Sequence, residues 1–497
     1  MDDTKPNILL ITTDQQRHDT VGAAKPPFMR TPHVDQLARE GITFTRAYAG
    51  CPLCVPSRMS IMTGRTVFSH GMTHNGASTE VMGRDGTLPT LLRGCGYQTA
   101  AIGKMHFTPQ RARHGFDEMI LPDDYCRQMH RSGAALQPMR HGLGQNELYP
   151  SMSTVPESAT LTSWIAEQCV EYIGARRDPT TPFFLWCSFS KPYPPLDPPE
   201  PYYSMYRDCE IPDPVVGAWR DGDECPQVFR REQIVWGADR LSPQVIRAAR
   251  VAYLGLITQI DYHIGRLFAA LQETGALHNT LILFTSDHGE MIGDHRAASK
   301  TYFYEPAAHV PFVLRLPQTW VGRHHGEHCD ALVDMSDILT TLLGAAGGDA
   351  PDTIDGQNLI GVVNDQVVRR DYLEAMVAGR AQPQGWGDFL TKWGCFYTAI
   401  TDGRFKYLWY PEGGHEQLFD LQTDPHELNN LAGQAACREQ RDRLRDEMIR
   451  RHAARGGDLV QDGQLVAREV LDISEADLRN NNRLACVTES ASHDIRH

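Results

Sequence analysis

No stretch of the chain is long and apolar enough to suggest a membrane span. The first apolar run, Asn7 to Thr13, falls far short of the roughly 20 residues a spanning helix needs. The first six residues, Met1-Asp2-Asp3-Thr4-Lys5-Pro6, lack the basic and apolar regions of a signal peptide, and the 12 cysteines lack the spacing of a disulfide framework. The expectation is a cytoplasmic protein with mostly reduced thiols and no membrane partner, with a secreted protein whose signal has been removed as the alternative. A basic surplus is missing too. With 48 Lys+Arg against 62 Asp+Glu the formal net charge is -14, so an extended nucleic-acid surface is not expected. A small anionic substrate stays open, because a few local cations outweigh the global field inside a cleft. Internal repeats and low-complexity tracts are absent. What is present is an ordinary globular balance, 41% hydrophobic and 22% charged, over 497 residues, a length that suits a large domain plus a smaller one.

Four short apolar runs read as buried parallel strands: Ile8–Ile11, Thr99–Ile102, Phe183–Phe189 and Leu281–Phe284. Polar residues follow three of them directly: Asp14, then Lys104 and His106, then Asp287 and His288. In open α/β sheets the chemistry gathers at the carboxyl ends of strands. Tyr253, Leu256, Ile257, Ile260, Ile264, Leu267 and Leu271 fall on one helical face, with Gly275 suited to the stop. Residues 192–245, rich in Pro, Asp and Trp, read as an insertion over the site. Asp371–Met376 reads as a last strand of the large domain. Beyond it, Tyr397–Thr401, Asp402-Gly403 and Phe405–Tyr410 read as a hairpin, and Arg438–His452 as a charged helix. The fold expected is α/β: a catalytic domain over 1–385 with a large, mixed, mostly parallel sheet flanked by helices, then a smaller α+β C-terminal subdomain over 386–497. The polar tail 473–497 is expected to dock on a neighbouring subunit, making a homo-oligomer, or on its own domain.

The run Cys54-Val55-Pro56-Ser57-Arg58, followed by Thr63-Gly64-Arg65, resembles the C-x-P-S-R and T-G-R signature of the type I sulfatases, formylglycine-dependent members of the alkaline phosphatase superfamily. Taken alone, Cys54 also reads as a buried structural cysteine, or with Cys51 as a redox or zinc half-site; a zinc reading lacks a second ligand pair of matching spacing. The resemblance implies that Cys54 is oxidised to formylglycine by a maturation enzyme. One hydroxyl of the hydrated aldehyde then attacks sulfur while held on a metal, and the other expels sulfate by rebuilding the aldehyde. Arg58 would hold the hydrate and offset charge, and the helix after the motif would aim its N-terminal N–H groups at the sulfate.

Asp14 resembles the family's N-terminal metal motif and Asp287-His288-Gly289-Glu290 its D-[NH]-G motif. With residue 54 they imply one divalent cation held by Asp14, Cys54, Asp287 and His288. Oxygen ligands suit Ca2+ first, with Mg2+ an alternative, and an imidazole moves the choice towards Mn2+. Gln15 departs from the common Asp, and His288 from the common Asn. Alone, Asp14 reads rather as a capping residue in a strand-to-helix turn; beside the Cys54 motif it reads as a metal ligand. Lys104-Met105-His106 resembles the family's G-K-x-H stretch, which places Lys104 on the sulfate and His106 near the hydrate. Lys300 matches the lysine that neutralises the sulfate oxygens. His114 reads as structural, and His70 and His74 as weaker candidates for the pocket wall. The resemblance extends through Thr401–Tyr407 and Leu418–Leu431.

The implied substrate is a small sulfate monoester: aryl, sugar or, because Lys104-Met105-His106-Phe107 resembles choline sulfatases, alkyl. A phosphonate monoester or phosphodiester hydrolase of the same superfamily is the alternative, and Ser57 favours sulfate. Tyr193 stands where many relatives carry a histidine that protonates the leaving group. The expected donor is therefore Lys300, with His106 second.

Overall fold

The computed structural model describes residues 5–75, 79, 86–131, 138, 140–144, 146–320, 324–378 and 396–480. Eight strands share the large sheet: β1 (Asn7–Asp14), β2 (Ile42–Tyr48), β3 (Gln98–Gly103), β4 (Glu118–Ile120), β5 (Phe183–Pro192), β6 (Thr280–Ser286), β7 (Phe312–Arg315) and β8 (Glu327–Asp334). Their order is β4-β3-β5-β1-β6-β7-β2-β8. All neighbours run parallel except β7, which is antiparallel to both β6 and β2. Alternate residues of the central strands enter opposite cores. Ile8, Leu10, Leu281 and Leu283 join one, while Leu9, Ile11, Ile282 and Phe284 join the other. Burial on both faces explains why these strands read as unbroken apolar runs.

The helices that matter here are α1 (Cys54–Thr63), α2 (Leu161–Glu171), α3 (Gln227–Val235), α4 (Pro243–Glu273), α5 (Arg438–Arg455) and α6 (Glu475–Asn480). Every side chain of α1 is buried, and its end is set by Gly64, whose φ of 66° suits glycine and whose N–H donates to Ser60 O. The α4 helix starts ten residues before the expected face. Ser242 caps it through Val245 N–H, and Pro243 fits the first turn. No helix among the described residues is long and apolar enough to cross a membrane.

A second sheet, ordered β12-β11-β10-β9, holds β9 (Leu373–Val377), β10 (Tyr397–Thr401), β11 (Phe405–Tyr410) and β12 (His415–Asp420), all antiparallel. The hairpin is as expected. The strand at 371–376 is not part of the large sheet: it pairs Leu373 with Thr401 and Val377 with Tyr397, so it belongs to the small one. The expected boundary at 385/386 lies outside the described residues.

The insertion differs from a cover over the site. Among the described contacts, its first residues reach the active centre through Tyr193. Further on, Trp219 is buried between Tyr304 and Phe419, Trp219 Nε1 donates to Glu427 O at 2.8 Å, and Ala218 N–H donates to Leu428 O at 2.8 Å. The segment is therefore a seam between the large sheet and the C-terminal unit. The start of the polar tail docks on its own chain: α6 packs on α3, Leu478 is buried and Arg479 pairs with Asp239 at 2.7 Å. Residues 481–497 lie outside the described residues.

Candidate active site

Four adjacent strands, β3, β5, β1 and β6, end on one side of the sheet, and each delivers polar groups there: Lys104, Ser188 and Tyr193, Asp14, and Asp287 with His288. The N-terminus of α1 brings Cys54 to the same place. One ligand atom from each of Asp14, Cys54, Asp287 and His288 lies within 4.8 Å of the others, and all four residues are buried. Cys54 Sγ lies 3.2 Å from His288 Nε2 and 3.8 Å from Asp14 Oδ1. The other imidazole nitrogen, Nδ1, contacts the Gly289 carbonyl at 2.9 Å. A carbonyl only accepts, so Nδ1 carries the proton and Nε2 is the nitrogen available to a cation. Two carboxylates and an imidazole converging with residue 54 fit a divalent cation.

Arg58 sits one turn beyond Cys54 and is wholly engaged with its neighbours. Its Nε donates to Asp287 Oδ2 at 2.9 Å, NH2 to Asp14 Oδ2 at 3.3 Å, and NH1 to Ser188 Oγ at 2.9 Å and to Lys104 O. It braces the two carboxylates instead of reaching outward. Lys104 Nζ lies 2.7 Å from Asp14 Oδ2 and 4.0 Å from Cys54 Sγ. Lys300 Nζ donates to Gln15 Oε1 at 2.8 Å. Gln15 is buried at φ 75°, and its amide Nε2 donates to Glu290, whose other oxygen accepts Ile292 and Ser299 N–H. The residue that departs from the family Asp thus orients a lysine.

The electrostatics follow from this crowding. Burial pulls the Asp14 carboxyl up, but Lys104 and Arg58 outweigh it and hold the group well below the usual carboxylate range. Burial, and then Asp14 itself, push Asp287 up to about 6. Burial and Asp14 raise the Cys54 thiol, yet Lys104, Lys300 and His288 together bring it well below its ordinary value.

The helix N-terminus offers fewer free N–H groups than expected. The Val55 N–H donates to Asn75 Oδ1 at 3.0 Å, Pro56 has no N–H, and the Ser57 N–H donates to Leu53 O at 3.0 Å. The Val55 and Ser57 N–H groups are thus engaged within the protein, and the cations that stand beside Cys54 are Lys104, Lys300 and His288. His106 has φ 59°, and its Nδ1 is buried without a hydrogen bond; among the described contacts none joins it to the cluster. His70 contacts Ser60 Oγ at 3.1 Å and accepts from Met72 N, a structural role, and His114 contacts Thr79 Oγ1 at 3.2 Å. Asn75, Asn146 and Ser188 gave no signal in the sequence: a lone amide or hydroxyl carries no spacing pattern.

A parallel-rich sheet with converging ligands at its strand ends, and a cysteine opening a buried helix, defines a hydrolase of the alkaline phosphatase superfamily. The family model described as Sulfatase matches residues 6–348, and the N-sulphoglucosamine sulphohydrolase C-terminal model matches 293–454. The chain is 34% identical to the arylsulfatase of Clostridium perfringens, covering 90% of this chain and 94% of that one. It is 29% identical to the choline-sulfatase of Rhizobium meliloti, covering 86% and 82%. Among solved structures, the phosphonate monoester hydrolase of Agrobacterium radiobacter superposes with a TM-score of 0.77 at 27% identity, covering 93% of this chain and 100% of that one. The chain belongs to the sulfatase family and is a sulfatase enzyme.

Proposed function

We propose that the enzyme hydrolyses a small sulfate monoester through formylglycine made from Cys54 by a maturation enzyme. The observation that carries this reading is the position of Cys54: its side chain lies inside the ligand cluster, 4.0 Å from Lys104 Nζ. Hydrated formylglycine supplies two hydroxyls on one carbon; one bonds sulfur as the ester oxygen departs, and loss of the other's proton breaks the bond to sulfate and restores the aldehyde. A divalent cation bound by Asp14, Asp287, His288 and residue 54 supplies Lewis acidity, with Ca2+ first and Mn2+ or Mg2+ as alternatives.

The remaining roles belong to the chain's own groups. Arg58 holds both carboxylates in register. Lys104 and Lys300 neutralise the sulfate oxygens. Lys300 gives the leaving oxygen its proton, with His106 as second donor. The choline-sulfatase relative keeps alkyl sulfates beside aryl sulfates as substrates. The second reading, phosphonate monoester or phosphodiester hydrolysis, is favoured by the likeness to the Agrobacterium enzyme.

Peptide mass spectrometry tests the first step: conversion of Cys54 lowers its peptide mass by about 18 Da. Full turnover in protein holding only unmodified Cys54 would sink the mechanism. Aryl sulfate, alkyl sulfate, aryl phosphonate and phosphodiester assayed side by side on metal-analysed enzyme separate the two readings. Higher kcat/KM on the phosphonate than on every sulfate selects the second.

A further inference from the structure

We propose that Tyr193 is a positioning residue for the two sulfate-binding lysines, acting through the face of its ring and not through its hydroxyl. This rests on the sulfatase reading of the site. The ring centroid lies 4.0 Å from Lys104 Nζ and 4.0 Å from Lys300 Nζ, well inside the roughly 6 Å reach of a cation–π contact. The three residues come from separate parts of the chain. Lys104 follows β3, Tyr193 follows β5, and Lys300 lies beyond β6, so only the closed sheet brings them together.

The hydroxyl is committed elsewhere: it donates to Asn146 Oδ1 at 2.6 Å. A phenol whose proton is held by an amide oxygen is badly placed to protonate a leaving group. The same bond fixes the ring's tilt. The two segments that carry Asn146 and Tyr193 are tied again nearby, where His141 Nε2 meets Asp197 Oδ2 at 3.1 Å; within the Tyr193 segment Lys191 Nζ holds the same carboxylate at Oδ1, 2.5 Å away.

Ring chemistry suits the task better than a second carboxylate would. Lys104 already meets Asp14 at 2.7 Å. Another anion there would cancel the charge the sulfate has to find. The negative face of an aromatic ring attracts both ammonium groups while leaving their charge, and most of their N–H donors, to an incoming tetrahedral anion. Tyr193 therefore replaces an acid–base residue with a passive clamp, and the proton for the leaving group has to come from elsewhere.

The test uses inorganic sulfate as the probe, bound to the full-length holoenzyme by calorimetry and as a competitive inhibitor, with metal and formylglycine content measured for every variant. Tyr193→Phe keeps the ring and is expected to bind sulfate within about threefold of the parent, while Tyr193→Leu weakens it by about tenfold. Across sulfate esters of graded leaving-group pKa, Tyr193→Phe leaves the slope of kcat/KM unchanged. Three results would overturn the proposal. Equal losses for Phe and Leu would assign the effect to the hydroxyl. A Tyr193→Phe loss confined to alkyl sulfates would make Tyr193 the acid. Tighter sulfate binding by Tyr193→Leu would mean that the ring occupies the anion's place. Calorimetry needs no turnover, so an enzyme that binds sulfate as expected yet hydrolyses no sulfate ester would count against the sulfatase reading and not against the clamp.

Discussion

Two clusters of buried charge sit in this chain, built from the same kinds of residue, and they behave differently. Around Cys54, Asp14 and Asp287 converge with His288 on one point, and the Lys104 side chain is 18% exposed towards solvent. Around Lys406, the ammonium is 0% exposed and donates to Phe303 O at 2.8 Å, Glu305 Oε1 at 2.6 Å and Glu427 Oε1 at 2.9 Å. Three donors meet three acceptors there, so none is left for a ligand. Glu305 also takes His309 Nδ1 at 2.6 Å, and His309 stacks on His18 with ring centroids 3.8 Å apart and planes 8° apart. His18, Glu305 and His309 present ligand-type atoms within 4.8 Å of one another, as the catalytic set does. Their stacked rings direct the lone pairs side by side, however, and two parallel imidazoles cannot aim at one cation. Buried charge signals chemistry where donors stay available and lone pairs converge. Where every donor is matched it signals a joint, here between β11 and the segment that carries Lys300.

The sharpest way to break the comparison is to remove a converging carboxylate. Asp287→Ala should lose the metal and lower kcat by more than the 10²–10³-fold typical of one lost stabilising group. Elemental analysis and turnover check it, and near-native turnover after chelation would contradict the site. One lysine from each cluster separates chemistry from stability. Lys300→Ala should cost about 10²–10⁴-fold on an alkyl sulfate and less on an activated aryl sulfate, with little change in unfolding free energy. An equal loss across the leaving-group series would assign Lys300 to sulfate binding alone.

Lys406→Met should do the reverse. It leaves Glu305 and Glu427 buried without their cation, at a cost of about 3–5 kcal/mol in urea unfolding, while metal per folded chain stays the same. A milder probe is pH. Burial raises the Glu427 carboxyl to about 7, above its unfolded value near 4.5. The folded state then binds the extra proton, so its contribution is full below about 4.5 and is lost as pH rises through about 7. Unfolding free energy measured across that window should fall with pH, and Glu427→Gln should flatten the fall. The smallest effect is expected from His18→Ala. The metal content should stay at the parent value, because the stacked pair is not a second site; a drop in bound metal would show that it is.

What consecutive residues encode was readable in advance. The runs that became β1, β3, β5 and β6 are apolar on both faces because both faces are buried, and that shows in the residues themselves. Cys54, Arg58, Asp14, Lys104, Asp287, His288 and Lys300 were legible because the signature motifs keep each of them beside informative neighbours. Strands β2, β7 and β8 were not: β2 carries Thr43, Thr45 and Arg46, β7 is only Phe312–Arg315, and β8 begins with exposed polar residues. Asp371–Met376 reads as a strand from its own residues, but its pairing with Tyr397–Thr401 places it in the small sheet, since extended conformation is local and pairing is not.

The division between sequence and structure follows from that distinction. The sequence by itself determined the family and the kinds of group that gather around Cys54, because motif spacing and side-chain chemistry are properties of neighbouring residues. The tertiary structure decided how those groups are arranged: Arg58 bracing carboxylates, the Val55 and Ser57 N–H groups engaged within the protein, Gln15 orienting Lys300, and the Tyr193 ring against Lys104 and Lys300. Each of these depends on which atoms, far apart along the chain, the closed sheet brings within a few ångströms.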